Sequence, residues 1–288
     1  MWFALALLSA LFQVLRNMSM KRLGHALDET INVWGRFTFL LPFAAAGVLV
    51  QGVPELGPNF WAYALAFGIT QNIGTLSLSK ALKVADMSLV TALWKISLLI
   101  LVGWGYIWLG ETPSKLGLAG VLISMVGVYL LNVHKARVSL WAPLTALVQD
   151  VGQRWTVLAG IGYAMSVVVI KQMALLSDPV FAVFTGYVFC AVLVTPYTIY
   201  RSSRHFSQVS TYWKSFVAMG LFGTLSTWFG TTAYTLTVSS YVEAVKQVEV
   251  LLAMAIGYLI FKEGSTIRLT WMGATVMLMG LILLKLGE

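Results

Sequence analysis

The chain has 288 residues, of which 59% are hydrophobic and only 10% charged, and its formal net charge is +8. A soluble domain carries roughly 45–50% apolar and about 25% charged residues. This composition therefore excludes a water-soluble globular protein, a disordered chain and a nucleic-acid binder, and the scattered Lys and Arg read as topology markers rather than as a nucleic-acid face.

A membrane-crossing helix takes about 20 mainly apolar residues. Ten such segments are predicted, at 2–20, 30–51, 59–81, 87–109, 115–133, 155–176, 179–200, 213–236, 240–261 and 267–286. The first, within MWFALALLSALFQVL, has no basic leader and reads as a mature membrane helix, not a cleaved signal. Short connections hold the turn formers: GVPELGP at 52–58, GETPS at 110–114, SDP at 177–179 and KEGS at 262–265. The longer connection, 134–154, carries Leu140, Leu144, Leu147, Val148 and Val151 at helical spacing, with Gln149, Asp150, Gln153 and Arg154 largely off that stripe. Two readings stay open for it: a helix lying in the membrane interface, or a partly ordered linker. Cys190 is the sole cysteine, which excludes an intramolecular disulfide and leaves it as a packing residue.

The connection divides the chain into two similar halves. A shift of 152 residues lays GYIWLGE (105–111) on GYLIFKE (257–263). One further residue brings Gly120 and Gly127 onto Gly273 and Gly280, and a shift of 150 near the start brings Lys21 onto Lys171, Val33 onto Val183 and Phe37 onto Tyr187. Five helices is an odd number, so the second repeat enters the membrane from the opposite side. The expected fold is all-α and integral to the membrane: ten transmembrane helices as two inverted five-helix repeats, 1–133 and 155–288, joined by 134–154. Inverted repeats of this kind mark many alternating-access transporters.

Orientation follows from Lys and Arg. The side reached after the odd-numbered segments holds 11 of them, against three, Lys115, Lys171 and Lys285, on the other. This places the odd loops in the cytoplasm and both termini outside the cell or inner membrane.

Three features resemble the EamA branch of the drug/metabolite transporter superfamily: Arg36 in WGRFTFLLPFAAA, the Gly/aromatic runs ending in Glu, and the Gly-x6-Gly helix closing each repeat. Together they cover almost the whole chain. The resemblance implies ten helices around a central cavity, with the fifth and tenth peripheral, and export or exchange of small metabolites. It also implies both termini in the cytoplasm, as in many family members, where this chain's charges point the other way.

The repeat shift also finds polar stripes. Asn72, Thr75 and Ser79 share a face of the third segment and map onto Thr224, Thr227 and Thr231; Ser88, Thr91 and Lys95 map onto Ser240, Glu243 and Gln247. Such residues either line a cavity or glue helices together by hydrogen bonds. A Lys at helix centre costs about 2.5–3.5 kcal/mol on the insertion scale, and such charges face a partner or an aqueous path. Lys95 lies at a depth from which snorkelling is difficult. Glu243, Lys246 and Glu249 recur at i+3, so they either neutralise each other or bind substrate or a proton. Glu249 has Ser97 as its repeat mate and Lys246 has Trp94. The predicted cavity set is Arg36, Asn72, Thr75, Trp94, Lys95, Thr227, Glu243, Lys246, Gln247 and Glu249. Arg16 and Arg36 lie near helix ends from which Arg can snorkel. Gln13 and Asn17 share a face of the first segment and extend the lining, and Trp228 is a candidate aromatic wall. Glu111 and Glu263 read as structural caps of their turns, and the repeated glycines as packing positions.

The expected function is secondary active transport of a small polar metabolite, anionic or zwitterionic, by alternating access. The alternative is a flippase for a lipid-linked or amphipathic substrate. An enzyme is disfavoured: there is no His-rich metal motif, His25, His134 and His205 all lie in loops, and no Ser/His/Asp group falls at bilayer depth. The absence of a G-x-x-x-x-G-K-[ST] motif argues against primary active transport by this chain alone. No cofactor is called for. The expected partners are a small-molecule substrate and the lipid bilayer, with no nucleic acid; a homodimer stays open.

Overall fold

The computed structural model describes residues 1–24, 27–84, 96–133, 151–249, 251–252 and 264–287. Among these residues helices fall on all ten predicted segments and there is no strand. The helices are α1 (Trp2–Gly24), α2 (Glu29–Thr38), α3 (Leu41–Gln51), α4 (Phe60–Val84), α5 (Ile96–Leu109) and α6 (Lys115–Val133). In the second half they are α7 (Val151–Leu175), α8 (Pro179–Ser202), α9 (Trp213–Leu236), α10 (Ser239–Lys246) and α11 (Gly264–Leu286). Helices of 23–25 residues, as in α1, α4 and α7, are about 35 Å long, which crosses a hydrocarbon core of about 30 Å. Large apolar side chains stand fully in the open, Val50 at 91% and Leu49 at 85% exposure among them. On a soluble protein that surface would be a liability; in lipid it is the solvated face.

Two predicted spans differ from unbroken helices. The second splits into α2 and α3 because Pro42 has no N–H to give the Thr38 carbonyl. The ninth leaves regular α geometry after Lys246, where Gln247 and Val248 donate to Ala244 and Val245, an i→i+3 pattern. α7 starts at Val151, inside the connection predicted to reach 154; residues 134–150 of that connection lie outside the described residues. Gly110, at φ +65°, makes the turn between α5 and α6 in the left-handed region that favours glycine. The N-terminus of α8 is capped by Asp178, whose carboxylate accepts from Val180 and Phe181, with Pro179 at the first helical position.

Packing follows the internal symmetry. α1 crosses α9, and α7 crosses α4; the repeat shift carries the first pair onto the second. The α1–α9 contact is fastened by reciprocal bonds, Ser9 Oγ to the Ser226 carbonyl at 2.8 Å and Ser226 Oγ to the Ser9 carbonyl at 3.0 Å. At the α4–α7 crossing Gly162 meets Gly74, and a methyl on Gly162 would stand 2.7 Å from the Gly74 nitrogen. α6 and α11, the ends of the two repeats, lie against each other through Gly120, Gly127 and Gly280. A Cβ on Gly127 would sit 2.3 Å from the Met277 nitrogen, so small residues set this approach. Between α2, α4 and α8 an aromatic core forms, with Tyr187 in ring contact with Phe37 at 5.7 Å and Phe67 at 5.6 Å.

Candidate substrate cavity

Threonine inside an apolar bundle needs an acceptor for its hydroxyl, and most here find it one turn back in their own helix. Thr70, Thr75, Thr185, Thr224 and Thr227 all donate to the carbonyl at i−4. Their hydroxyls are satisfied without a ligand. The amide and charged side chains carry more information, because a helix cannot satisfy them alone.

These groups converge on a cavity of about 350 Å³ between α1, α2, α4, α5, α7, α8, α9 and the α10 segment. From α1 come Gln13, Arg16 and Asn17, at i, i+3 and i+4 on one face. α2 adds Arg36 just before its break, and the α10 segment adds Glu243, Lys246, Gln247 and Glu249 across the ninth span's irregular turn. Interrupted helices at bilayer depth are tolerated where they line a cavity, and in transporters they mark binding sites.

The charges are arranged in distinct groups. Lys246 Nζ lies 2.5 Å from Glu243 Oε1 and 3.2 Å from the Tyr234 hydroxyl, and that hydroxyl donates to the same carboxylate oxygen. This is the local neutralisation that i+3 spacing allows. Glu249 does not join it: its Oε2 accepts from Gln13 Nε2 of α1 at 2.5 Å. Arg16 donates from Nε and Nη2 to Asn17 Oδ1 at 3.2 and 3.0 Å. Arg36 Nη1 donates to the Tyr163 hydroxyl at 3.3 Å, and Tyr163 is also 3.0 Å from Thr75 Oγ1. Tyr163 was not singled out from the sequence; its repeat mate at a shift of 150 is Gln13, and that polar pairing is the signal that locates it.

Arg36, Thr227, Glu243, Lys246, Gln247 and Glu249 line the cavity. Thr75 stands behind the wall, bonded to Tyr163. Asn72 is placed differently from expectation. Its amide donates to the Gly68 carbonyl at 2.8 Å and the Cys190 carbonyl at 3.1 Å, which ties α4 to α8 instead of facing the cavity. Trp228 packs beside Gly47, away from the lining. Trp94, Lys95, Ser88, Thr91 and Glu263 lie outside the described residues.

The profile of the EamA-like transporter family matches residues 1–133 and 151–286, nearly the whole chain. The chain belongs to the EamA-like transporter family. No curated protein matches it. Among 28 matching chains of solved structures, one described as a crystal structure of protein superposes with a TM-score of 0.72 at 17% identity, covering 99% of this chain and 95% of its own. That likeness is one of fold. EamA proteins are transporters and not enzymes, and the chain is a multi-pass membrane transporter of the drug/metabolite superfamily.

Polar contacts also lie beyond both ends of the cavity. On the even-loop side Lys171 Nζ is 2.6 Å from Glu111 Oε1 and also donates to the Thr237 carbonyl at 2.7 Å. Glu111 accepts from the backbone N–H and the hydroxyl of Ser239. The predicted cap is therefore a cap in trans: it satisfies the first turn of α10, not its own turn. The ion pair is buried and both partners make further hydrogen bonds, the condition under which such a pair is tolerated. On the odd-loop side Ser79 donates to Glu29 at 2.6 Å, and Ser202 to Asp28.

Proposed function

We propose that the chain is a secondary active transporter of the cell or inner membrane that moves a small polar metabolite, anionic or zwitterionic, by alternating access through the cavity between its two repeats. One observation carries the reading: a cavity of about 350 Å³ lined by Arg, Lys, Glu and Gln side chains lies inside an otherwise apolar bundle, between helix pairs that are symmetry mates. Groups so costly to keep at bilayer depth are accounted for by a polar cargo. The lining runs from Met20 and Leu78, near the odd-loop ends of α1 and α4, to Ile170 and Tyr234, close to the Lys171–Glu111–Ser239 cluster. This fits a carrier whose even-loop side is shut. Lys95, on the repeat mate of the ninth span, is assigned to the same cavity as a contact to the substrate's anionic group.

The test is counterflow in proteoliposomes. Purified protein is loaded with a panel of amino acids, organic acids, nucleosides and organic cations, and uptake of labelled solute is followed. Saturable exchange of an anion or zwitterion is the expected result. Exchange of a quaternary ammonium that no anion competes with refutes the charge assignment. Movement of lipid headgroups across the bilayer, with no soluble solute carried, replaces the reading with the flippase alternative.

A further inference from the structure

Cationic side chains facing the cavity differ in what they are spent on. Lys246 is committed to Glu243 and Tyr234. Arg16 and Arg36 are not committed in this way. Each guanidinium has five N–H donors in a planar fork. Arg16 gives two to Asn17 and Arg36 gives one to Tyr163, and Arg36 Nε is buried with no acceptor. Neither has a carboxylate at ion-pair distance among the described residues; Glu249, whose charge reaches Arg16 from further off, is held by Gln13.

The two arginines are also close enough for their charges to interact. Arg16 is only 8% exposed. Two like charges at bilayer depth destabilise each other unless a counter-charge is supplied. The fold does not require them: at a shift of 150 their repeat mates are Ser166 and Gly186, so the second half builds the same helices with no charge there. Their partners are neutral and hold them in place. Asn17 fixes the Arg16 fork, and Tyr163, itself anchored to Thr75, fixes Arg36.

We propose that Arg16 and Arg36 together form an oxyanion-binding subsite of the cavity, which receives the carboxylate or phosphate group of the ligand between two guanidinium forks. Charge-assisted, bidentate bonds are what this side chain offers such groups. Calling the bound anion cargo rests on the transport reading above; the binding itself does not.

The experiment uses the purified full chain in detergent at constant ionic strength, with inorganic phosphate and succinate as separate probes and tetramethylammonium as the cation control. Binding is read by calorimetry. Phenylglyoxal labelling of Arg16 and Arg36 is read by mass spectrometry with and without each anion. The expected result is saturable binding of at least one anion and protection of both arginines by it. Arg16→Gln and Arg36→Gln each weaken binding at least about tenfold, and Arg201→Gln, at an exposed position, leaves it unchanged. Phosphate binding without succinate assigns a phosphate group, and the reverse assigns a carboxylate. Equal labelling with and without both anions overturns the subsite, as do unchanged affinities in both Gln variants. If either variant fails to fold, protection in the unmodified chain decides. Anion binding with no flux of any solute defeats the transport reading and leaves the subsite standing. Exchange of a cation with no arginine protection defeats the subsite and the anionic charge assignment, and leaves transport itself standing.

Discussion

Glu243 and Glu249 belong to one segment and meet different company. Glu243 shares a single oxygen with Lys246 and Tyr234, so protonating it would break an ion pair. Glu249 accepts from the neutral amide of Gln13, and no cation stands at ion-pair distance from it among the described residues. That makes Glu249 the candidate for proton coupling. Glu249→Gln is the isosteric mimic of the protonated acid. It is expected to reduce pH-gradient-driven uptake at least tenfold, about 1.4 kcal/mol in the barrier, while solute exchange without a gradient persists and the melting temperature holds. Gradient-driven uptake at the unmodified rate would sink the assignment. Lys95→Met in the same assay tests the substrate contact assigned to Lys95. Spacing in the sequence shows which residues share a face, as with Glu243 and Lys246. It does not show which face a neighbouring helix covers. Asn72 looked like a cavity residue for this reason and is in fact spent on α8, and Arg16 looked able to snorkel yet is buried against Asn17.

Helix existence was legible because a run of some twenty apolar residues has few alternatives in a membrane. Interruptions were less so. Pro42 marks a lost donor, but the 30–51 segment stays apolar through it and reads as one span. The irregular turn after Lys246 has no proline or glycine to announce it. Glycines divide by their surroundings, which the sequence does not display. A Cβ on Gly127 meets backbone at 2.3 Å, whereas one on Gly103 meets nothing within 4 Å. Gly127→Ala is expected to lose about 1–3 kcal/mol through overpacking of the α6–α11 contact. Gly103→Ala, in the interior of α5, is expected to gain about 0.5–1 kcal/mol from helix propensity. Thermal melting of the two purified variants checks this, and equal shifts of one sign would show that the glycine contact between the repeat ends does not govern stability.

At the scale of the whole molecule, the repeat that the sequence displays as matched motifs reappears as matched contacts: α1 with α9, and α7 with α4. What such symmetry cannot fix is which way the assembly faces, since an inverted repeat looks alike from either side. Charge must decide. Eleven Lys and Arg lie at the odd-loop ends against three at the even-loop ends, and of those three Lys171 is buried in an ion pair with Glu111. A buried, neutralised lysine contributes little to the free positive charge of its side, so the contacts sharpen the bias instead of blurring it. Retention of positive loops in the cytoplasm then predicts both termini outside, opposite to the arrangement of many EamA proteins. A phosphatase fused after Glu288 is expected to be active and a fluorescent protein at the same point dark. The reverse pair of signals would restore the usual family orientation, and would put the side closed by Lys171 and Glu111 in the cytoplasm.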